Sequence, residues 1–201
     1  MRALSLTQPW AWSMMHGPKF IENRTWPCPE NIVGQTVAWH ASAKWDPNGE
    51  RFLLEHDVLV PPRHTLPKSA IIGTVKIERC IKLADFETAF ENYPDGVRPV
   101  EAGPPYGGRS RDDILPADQI PFFFGPFGFL TSSRRPITPI LYPGSLGFFT
   151  LTDDVVREIE RRVDMPADTL PSPILPQQTM PWEPPGGLHR PPRKPSRRGR
   201  R

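Results

Sequence analysis

Proline decides how much of this chain can fold. There are 28 prolines in 201 residues, roughly three times the ~5% usual in globular proteins. Ten of them fall between Pro166 and Pro195. Each proline fixes φ and removes a backbone donor. A segment this rich in proline, filled out with Arg, Ser and Gly, buries too little apolar surface to offset its ordering entropy. The chain therefore reads as one globular part over residues 1–165 and a disordered basic tail over 166–201. A chain of 201 residues supports one domain with a real core, whereas two would be cramped.

Charge divides at the same place. The whole chain carries +3. From Pro166 onward seven Lys and Arg stand against Asp168 and Glu183, which gives the tail +5 and leaves residues 1–165 at −2. The sequence pI of about 9.1 thus belongs to the tail. It says nothing about the folded part, where any ligand surface has to be a local patch. The run Arg190-Pro191-Pro192-Arg193-Lys194-Pro195-Ser196-Arg197-Arg198-Gly199-Arg200-Arg201 suits loose, salt-dependent attachment to phosphate backbones, or simple solubilisation.

Several chemistries find no support. Cys28 and Cys80 form no CxxC or Cys/His cluster, and His16, His56, His64 and His189 lack partners at metal-ligand spacing, so neither a metal nor another cofactor is expected. Gly103-Pro104-Pro105-Tyr106-Gly107-Gly108 is a turn and not a phosphate loop. No apolar leader opens the chain, and no apolar run approaches the ~18 residues of a membrane span. The expectation is a reduced, intracellular, cytoplasmic monomer with no membrane partner.

Coarse patterning favours a mainly β, α+β architecture. Residues 3–6 read as a first strand. A helix is expected over 7–17, with Pro9 in its first turn and Gly17 as a left-handed C-cap. Strands follow at 21–26 and 36–41, then a helix over 46–57 with Phe52, Leu53 and His56 on one face. Residues 70–81 form the clearest strand, alternating with period 2 in its second half. Residues 84–120, rich in Gly, Pro and charge, read as a long loop. Phe122–Phe129 is an aromatic run whose Gly-Pro-Phe-Gly interruption breaks a plain core strand, and it is expected to line a cleft opposite the first helix. A closing strand over 145–151 and a final helix capped by Thr152 or Asp153 complete the pattern.

The residues that carry chemistry cluster early. Lys19, Glu22 and Arg24 lie within six residues, and on a strand Glu22 and Arg24 share a face. Such a group can take phosphate or a base carbonyl through Lys19 and Arg24, and accept from an exocyclic amine through Glu22. It can equally be a surface ion pair worth under ~1 kcal/mol. Trp10, Trp12, Trp26 and Trp39 either fill the core or offer a stacking platform, with Trp10 and Trp26 the better placed for a ligand. His40 and Ser42 alternate around Ala41 and share a face.

Four segments, in order, resemble the ASCH (activating-signal-cointegrator homology) domain. They are Leu4-Ser5-Leu6-Thr7-Gln8-Pro9-Trp10-Ala11, then Gly17-Pro18-Lys19-Phe20-Ile21-Glu22-Asn23-Arg24-Thr25-Trp26, then Val37-Ala38-Trp39-His40-Ala41-Ser42, and Gly73-Thr74-Val75 with Cys80 behind. Phe123-Phe124-Gly125-Pro126-Phe127-Gly128-Phe129 is similar to a later family segment. The resemblance spans residues 1–151. It implies a PUA-like pseudo-barrel of five or six strands with short flanking helices. It also implies a cleft beside the first helix that recognises RNA or DNA, through a single-stranded or modified base. The ligand set it implies is Gln8, Trp10, Lys19, Glu22, Arg24, Trp26, His40, Ser42 and Phe124.

The resemblance carries an alternative. Some small ASCH proteins are amidohydrolases acting on the nucleoside N4-acetylcytidine with a Lys, a Thr three residues later and a Glu, and nuclease activity also occurs in the class. Lys19 matches the Lys, but Glu22 stands in the Thr position. If the chain is an enzyme, Lys19 and Glu22 are the catalytic candidates. A carboxylate beside Lys19 is expected to hold its pKa up and oppose a nucleophilic role. Glu78 is a loose candidate for the third residue.

Overall fold

The computed structural model describes residues 1–90 and 114–164. The tail and the middle of the expected long loop lie outside the described residues. In order come β1 (Arg2–Gln8), α1 (Trp10–Met15), β2 (Ile21–Arg24), β3 (Thr36–Trp45), α2 (Pro47–Glu55), β4 (Ala70–Lys82) and α3 (Leu83–Phe90). Then follow β5 (Phe127–Leu141), β6 (Phe148–Thr150) and α4 (Asp153–Val163), with short 3-10 turns at Glu30–Ile32 and Ala117–Phe122.

The strands form one mixed six-stranded sheet in the order β2-β5-β4-β3-β1-β6. β1 and β3 run parallel, with Ser5 opposite His40, and the other pairings are antiparallel. That order leaves β2 and β6 as the edges. Side chains draw the two edges together. Trp26, just past β2, packs edge-on against Phe148 of β6 at 5.8 Å and against Phe129 at 5.3 Å. Arg24 of β2 donates from Nη2 to the Ser5 carbonyl of β1 at 2.7 Å. The sheet thus curls into a pseudo-barrel whose seam, between β2 and β1, is joined by side chains and not by a backbone ladder. An unladdered seam leaves room for a cleft.

Three apolar clusters hold the layers. Leu4 and Leu6 of β1, Val37 and Trp39 of β3, Val75 and Ile77 of β4, and Phe129 fill the barrel, and Ala11, Met14 and Met15 of α1 plug it. Alternation along β1 turns these leucines inward and leaves Ser5 and Thr7 on the other face. Leu53 of α2 packs with Ile21, Phe86, Ile114, Phe122 and Phe123. Ile159 of α4, flanked by Val155, Val156 and Val163, covers Ala3, Ala38, Ile71 and Ile137. The helix-period apolar stripe of α4 explains why it docks there.

The structure corrects several expectations. The segment expected as a loop over 84–120 begins inside α3 and ends in the 117–122 turn. Helix α1 is shorter than expected, and Gly17 is not left-handed, since the described positive-φ glycines are Gly34 and Gly147. Gly17 is needed for space: a Cβ there would come within 2.9 Å of the Ser13 backbone. The strand expected over 21–26 stops at Arg24, where pairing with β5 ends at Phe127. The 15-residue β5 was not anticipated. It accommodates Pro136 and Pro139 because register shifts between β4 and β5 relieve the ladder at Ile71/Gly73, Thr74/Lys76 and Ile77/Arg79. Among the described residues no helix is long and apolar enough to cross a membrane.

Candidate functional site

A cavity of about 240 Å³ opens at the seam. Ser5, Leu6 and Thr7 form the β1 wall, and Lys19, Glu22, Asn23 and Arg24 the β2 wall. Trp10 from α1, Asp46 at the start of α2 and Phe124 from the loop before β5 complete it. The volume is below the roughly 300–1,000 Å³ of pockets for drug-sized ligands, and suits a group of one or two rings.

Lys19 dominates the electrostatics. The residue is 1% exposed. An ammonium has three donors, and among the described residues Nζ makes one hydrogen bond, to the Ile21 carbonyl. Nζ also faces two aromatic rings, Trp10 at 5.5 Å and Phe124 at 5.8 Å. Burial pulls its pKa down to about 8, with Glu22 opposing the shift and Arg24 assisting it. Glu22 thus pulls this pKa up, as expected from the sequence, but desolvation outweighs the carboxylate and the net shift is downward. Glu22 pairs with Arg24, Oε1 to Nη2 at 3.0 Å. Arg24 Nε is buried and has no partner among the described residues.

The remaining walls are built by second partners. Asp46 caps α2 by accepting from the Asn48 amide at 3.0 Å, and its other oxygen accepts from Trp10 Nε1 at 2.8 Å. The indole lies so close over α2 that a Cβ on Gly49 would sit 2.5 Å from Nε1. Only glycine permits that approach. Asn23 holds the loop carrying Phe124: its Nδ2 donates to the Phe122 carbonyl, and its Oδ1 accepts from the amides of Phe124 and Gly125. Phe124 stays 52% exposed at the mouth.

Of the residues singled out from the sequence, Trp10, Lys19, Glu22, Arg24 and Phe124 converge on this cavity, and the other four do not line it. Gln8 is 1% exposed, and its side chain serves the fold, accepting from the Trp12 amide and donating to the Pro67 carbonyl. Trp26 packs at the barrel seam, with Arg24 over its ring at 5.9 Å. His40 is locked between Ser5 Oγ at 3.0 Å and the Tyr142 carbonyl at 2.9 Å. Ser42 Oγ accepts from the Lys44 amide. Glu78 is engaged by Ser132 and Lys76 away from the cavity. Within the aromatic run Phe122, Phe123 and Phe129 are buried in the core, Phe127 packs against it, and Phe124 alone of the run lines the cavity.

Sequence reasoning missed Ser5, Leu6, Thr7, Asn23 and Asp46. The Asp46-Pro47 pair signals a helix start, but nothing local shows that the second carboxylate oxygen reaches Trp10. Among the described residues no group of three or more His, Cys, Asp or Glu is placed to hold a metal ion.

This arrangement of β1, α1, β2 and the Lys19 that precedes it coincides with a family match. The ASCH domain matches residues 4–115, more than half of the chain. The chain belongs to the ASCH domain family. Every cavity residue except Phe124 lies within the matched stretch, and β5, β6 and α4 lie beyond it. Among solved structures, the crystal structure of ASCH from Zymomonas mobilis has 16% sequence identity and a TM-score of 0.41, and the match covers 80% of this chain and 93% of that one. A tyrosine-to-phenylalanine variant of the same protein matches at 16% identity and a TM-score of 0.40, over 80% of this chain and 96% of that one. A serine-to-alanine variant matches at 15% identity and 0.41, over 80% and 94%. Comparison with curated proteins gives no match. Within this ASCH domain the opening motif divides its labour: Gln8 builds the turn, and Trp10 faces the cavity.

Proposed function

We propose that this ASCH domain is a nucleic-acid-binding module that takes one base of a single-stranded or modified RNA or DNA into the seam cavity. One observation carries the reading. A buried ammonium lies against a base-sized cavity between two aromatic faces, with donors left over among the described residues. Burying a charge costs several kcal/mol unless it is paired, so a ligand acceptor at Nζ would remove a standing penalty. A base carbonyl supplies that acceptor, and its ring stacks on Trp10 or Phe124 for ~1–3 kcal/mol. Glu22 then accepts from an exocyclic amine, while Arg24 donates to a carbonyl or phosphate.

Salt-titrated binding of single-stranded oligonucleotides tests this. Lys19→Ala and Arg24→Ala are expected to weaken affinity at least tenfold, and Arg24→Ala to flatten the salt slope. Unchanged affinity in both variants would sink the proposal.

One observation favours a second reading, hydrolysis of an acylated nucleoside such as N4-acetylcytidine. The Lys19 amine, with its pKa near 8, has a sizeable neutral fraction near neutrality and can act as a base or nucleophile. Glu22 in the family's Thr position stands against it. Turnover of N4-acetylcytidine by the wild type, abolished in Lys19→Ala, would select this reading over simple binding.

A further inference from the structure

The aromatic surface does not stop at the cavity. Trp10 and Phe124 lie 5.8 Å apart on its walls, and Phe124 meets Phe52 of α2 at 5.4 Å. Phe52 in turn stacks on His56 at 4.1 Å, with the planes 26° apart. His56 is the C-cap residue of α2, and its ring is fixed in place. Its Nδ1 donates to the Phe52 carbonyl at 2.8 Å, which holds the imidazole flat against the Phe52 ring. Both ends of this belt are open: Phe124 is 52% exposed and His56 is exposed. In the middle, Phe52 is anchored to buried Phe122 at 5.9 Å.

Core packing explains Phe52 and Phe122. It does not explain why Phe124 keeps half its surface in water, or why an exposed imidazole is laid flat as an extension of the same ring row. A row of rings that leaves a base-sized cavity and is open to solvent at Phe124 and His56, with Phe52 part-buried between them, suits a strand whose successive bases unstack from one another and stack on protein.

We infer that the ligand is a strand and not a free nucleoside, and that bases flanking the one in the cavity stack along Phe124, Phe52 and His56. The inference rests on the cavity reading above. The belt from Phe124 to His56 is made of rings and not cations, so the added affinity is stacking and releases few counterions. The belt therefore lengthens the footprint without steepening the salt dependence.

The test compares the ribonucleoside 5′-monophosphates with the matching single-stranded homohexanucleotides, followed by calorimetry at two salt concentrations. Wild-type protein is expected to bind at least one hexamer some 10-fold or more tighter than its monophosphate, by a margin that salt changes little. His56→Ala, at an exposed position outside the cavity, should reduce hexamer affinity by roughly 5- to 100-fold and leave monophosphate affinity unchanged. His56→Phe should restore it, which loss of the Nδ1 hydrogen bond alone would not allow. Hexamers binding no tighter than monophosphates, or His56→Ala leaving hexamer affinity intact, would overturn the belt while the cavity reading stands. If neither monophosphates nor hexamers bind, the cavity reading falls, and the belt falls with it.

Discussion

His40 and Lys19 are buried to the same degree, each 1% exposed, and their surroundings differ in kind. His40 sits opposite Ser5 in the β1–β3 register, and both ring nitrogens are engaged. The Tyr142 carbonyl can only accept, so Nε2 carries the proton and Nδ1 accepts from the Ser5 hydroxyl. Burial lowers the His40 pKa against the pull of the Tyr142 carbonyl, so the ring is held neutral. Lys19 has one hydrogen-bond acceptor among the described residues and a cavity in front of it. A polar group that the fold has satisfied builds structure. One left partly unsatisfied beside a cavity costs stability and leaves donors for which an acceptor in the cavity would be in reach.

Three outcomes would sharpen or break that contrast. The largest is His40→Ala, which removes the ring from its edge contact with Phe149 and strands the Ser5 hydroxyl and the Tyr142 carbonyl. Stranding these two part-buried partners costs ~1–3 kcal/mol each and the buried ring's packing is lost as well, so chemical denaturation is expected to show a loss of about 4 kcal/mol. A loss below about 1 kcal/mol would mean that His40 is not the structural partner described.

Next comes the pH dependence of Lys19. Its folded pKa of about 8 lies below the ordinary value of 10.5. Between those values the unfolded chain binds more protons than the folded one, so stability rises with pH across this window. The rise is about 3 kcal/mol at 1.36 kcal/mol per unit. Urea midpoints at pH 8 and pH 10 should show about 2 kcal/mol of it in the wild type relative to Lys19→Met. His40 has the same sign at lower pH: stability falls as pH drops below about 6.5, and His40→Gln should reduce that fall.

The smallest effect is Trp10→Phe. It keeps a ring on the cavity wall and removes the donor to Asp46, which still caps α2 through Asn48. The expected cost is about 1.5 kcal/mol of stability, with base stacking largely retained. A binding loss as large as that of a Lys19 variant would mean that the indole nitrogen contacts the ligand directly.

How far the site was legible from sequence follows the same division. Lys19, Glu22 and Arg24 could be grouped because they fall within six residues, with Glu22 and Arg24 on one short strand, and Trp10 because it stands in the Gln8-Pro9-Trp10 motif. The family motif could not say which of its polar residues serve the ligand. Gln8 and His40 belong to the motif, and both are consumed by backbone partners distant in sequence, Pro67 and Tyr142. The strands β1, β3 and β4 were visible as apolar runs, alternating with period 2 in β4, α2 through a shared face and α4 through its cap and end charges. β5 was not, because Pro136 and Pro139 read as breakers, and the bulges that admit them are a property of the β4–β5 pairing. In α3, the spacing of Leu83, Phe86 and Phe90 was present but masked by the Gly- and Pro-rich stretch that follows.

The central claim, that Lys19 is buried for a ligand and not for the fold, is tested most directly by Lys19→Met. This change keeps the volume and removes the charge, and both stability and binding of a single-stranded hexanucleotide should be measured on the same preparation. The account predicts a protein at least as stable as the wild type at pH 7, because an under-satisfied buried charge is gone, with hexamer affinity down tenfold or more. A variant that is clearly less stable and still binds with wild-type affinity would contradict it.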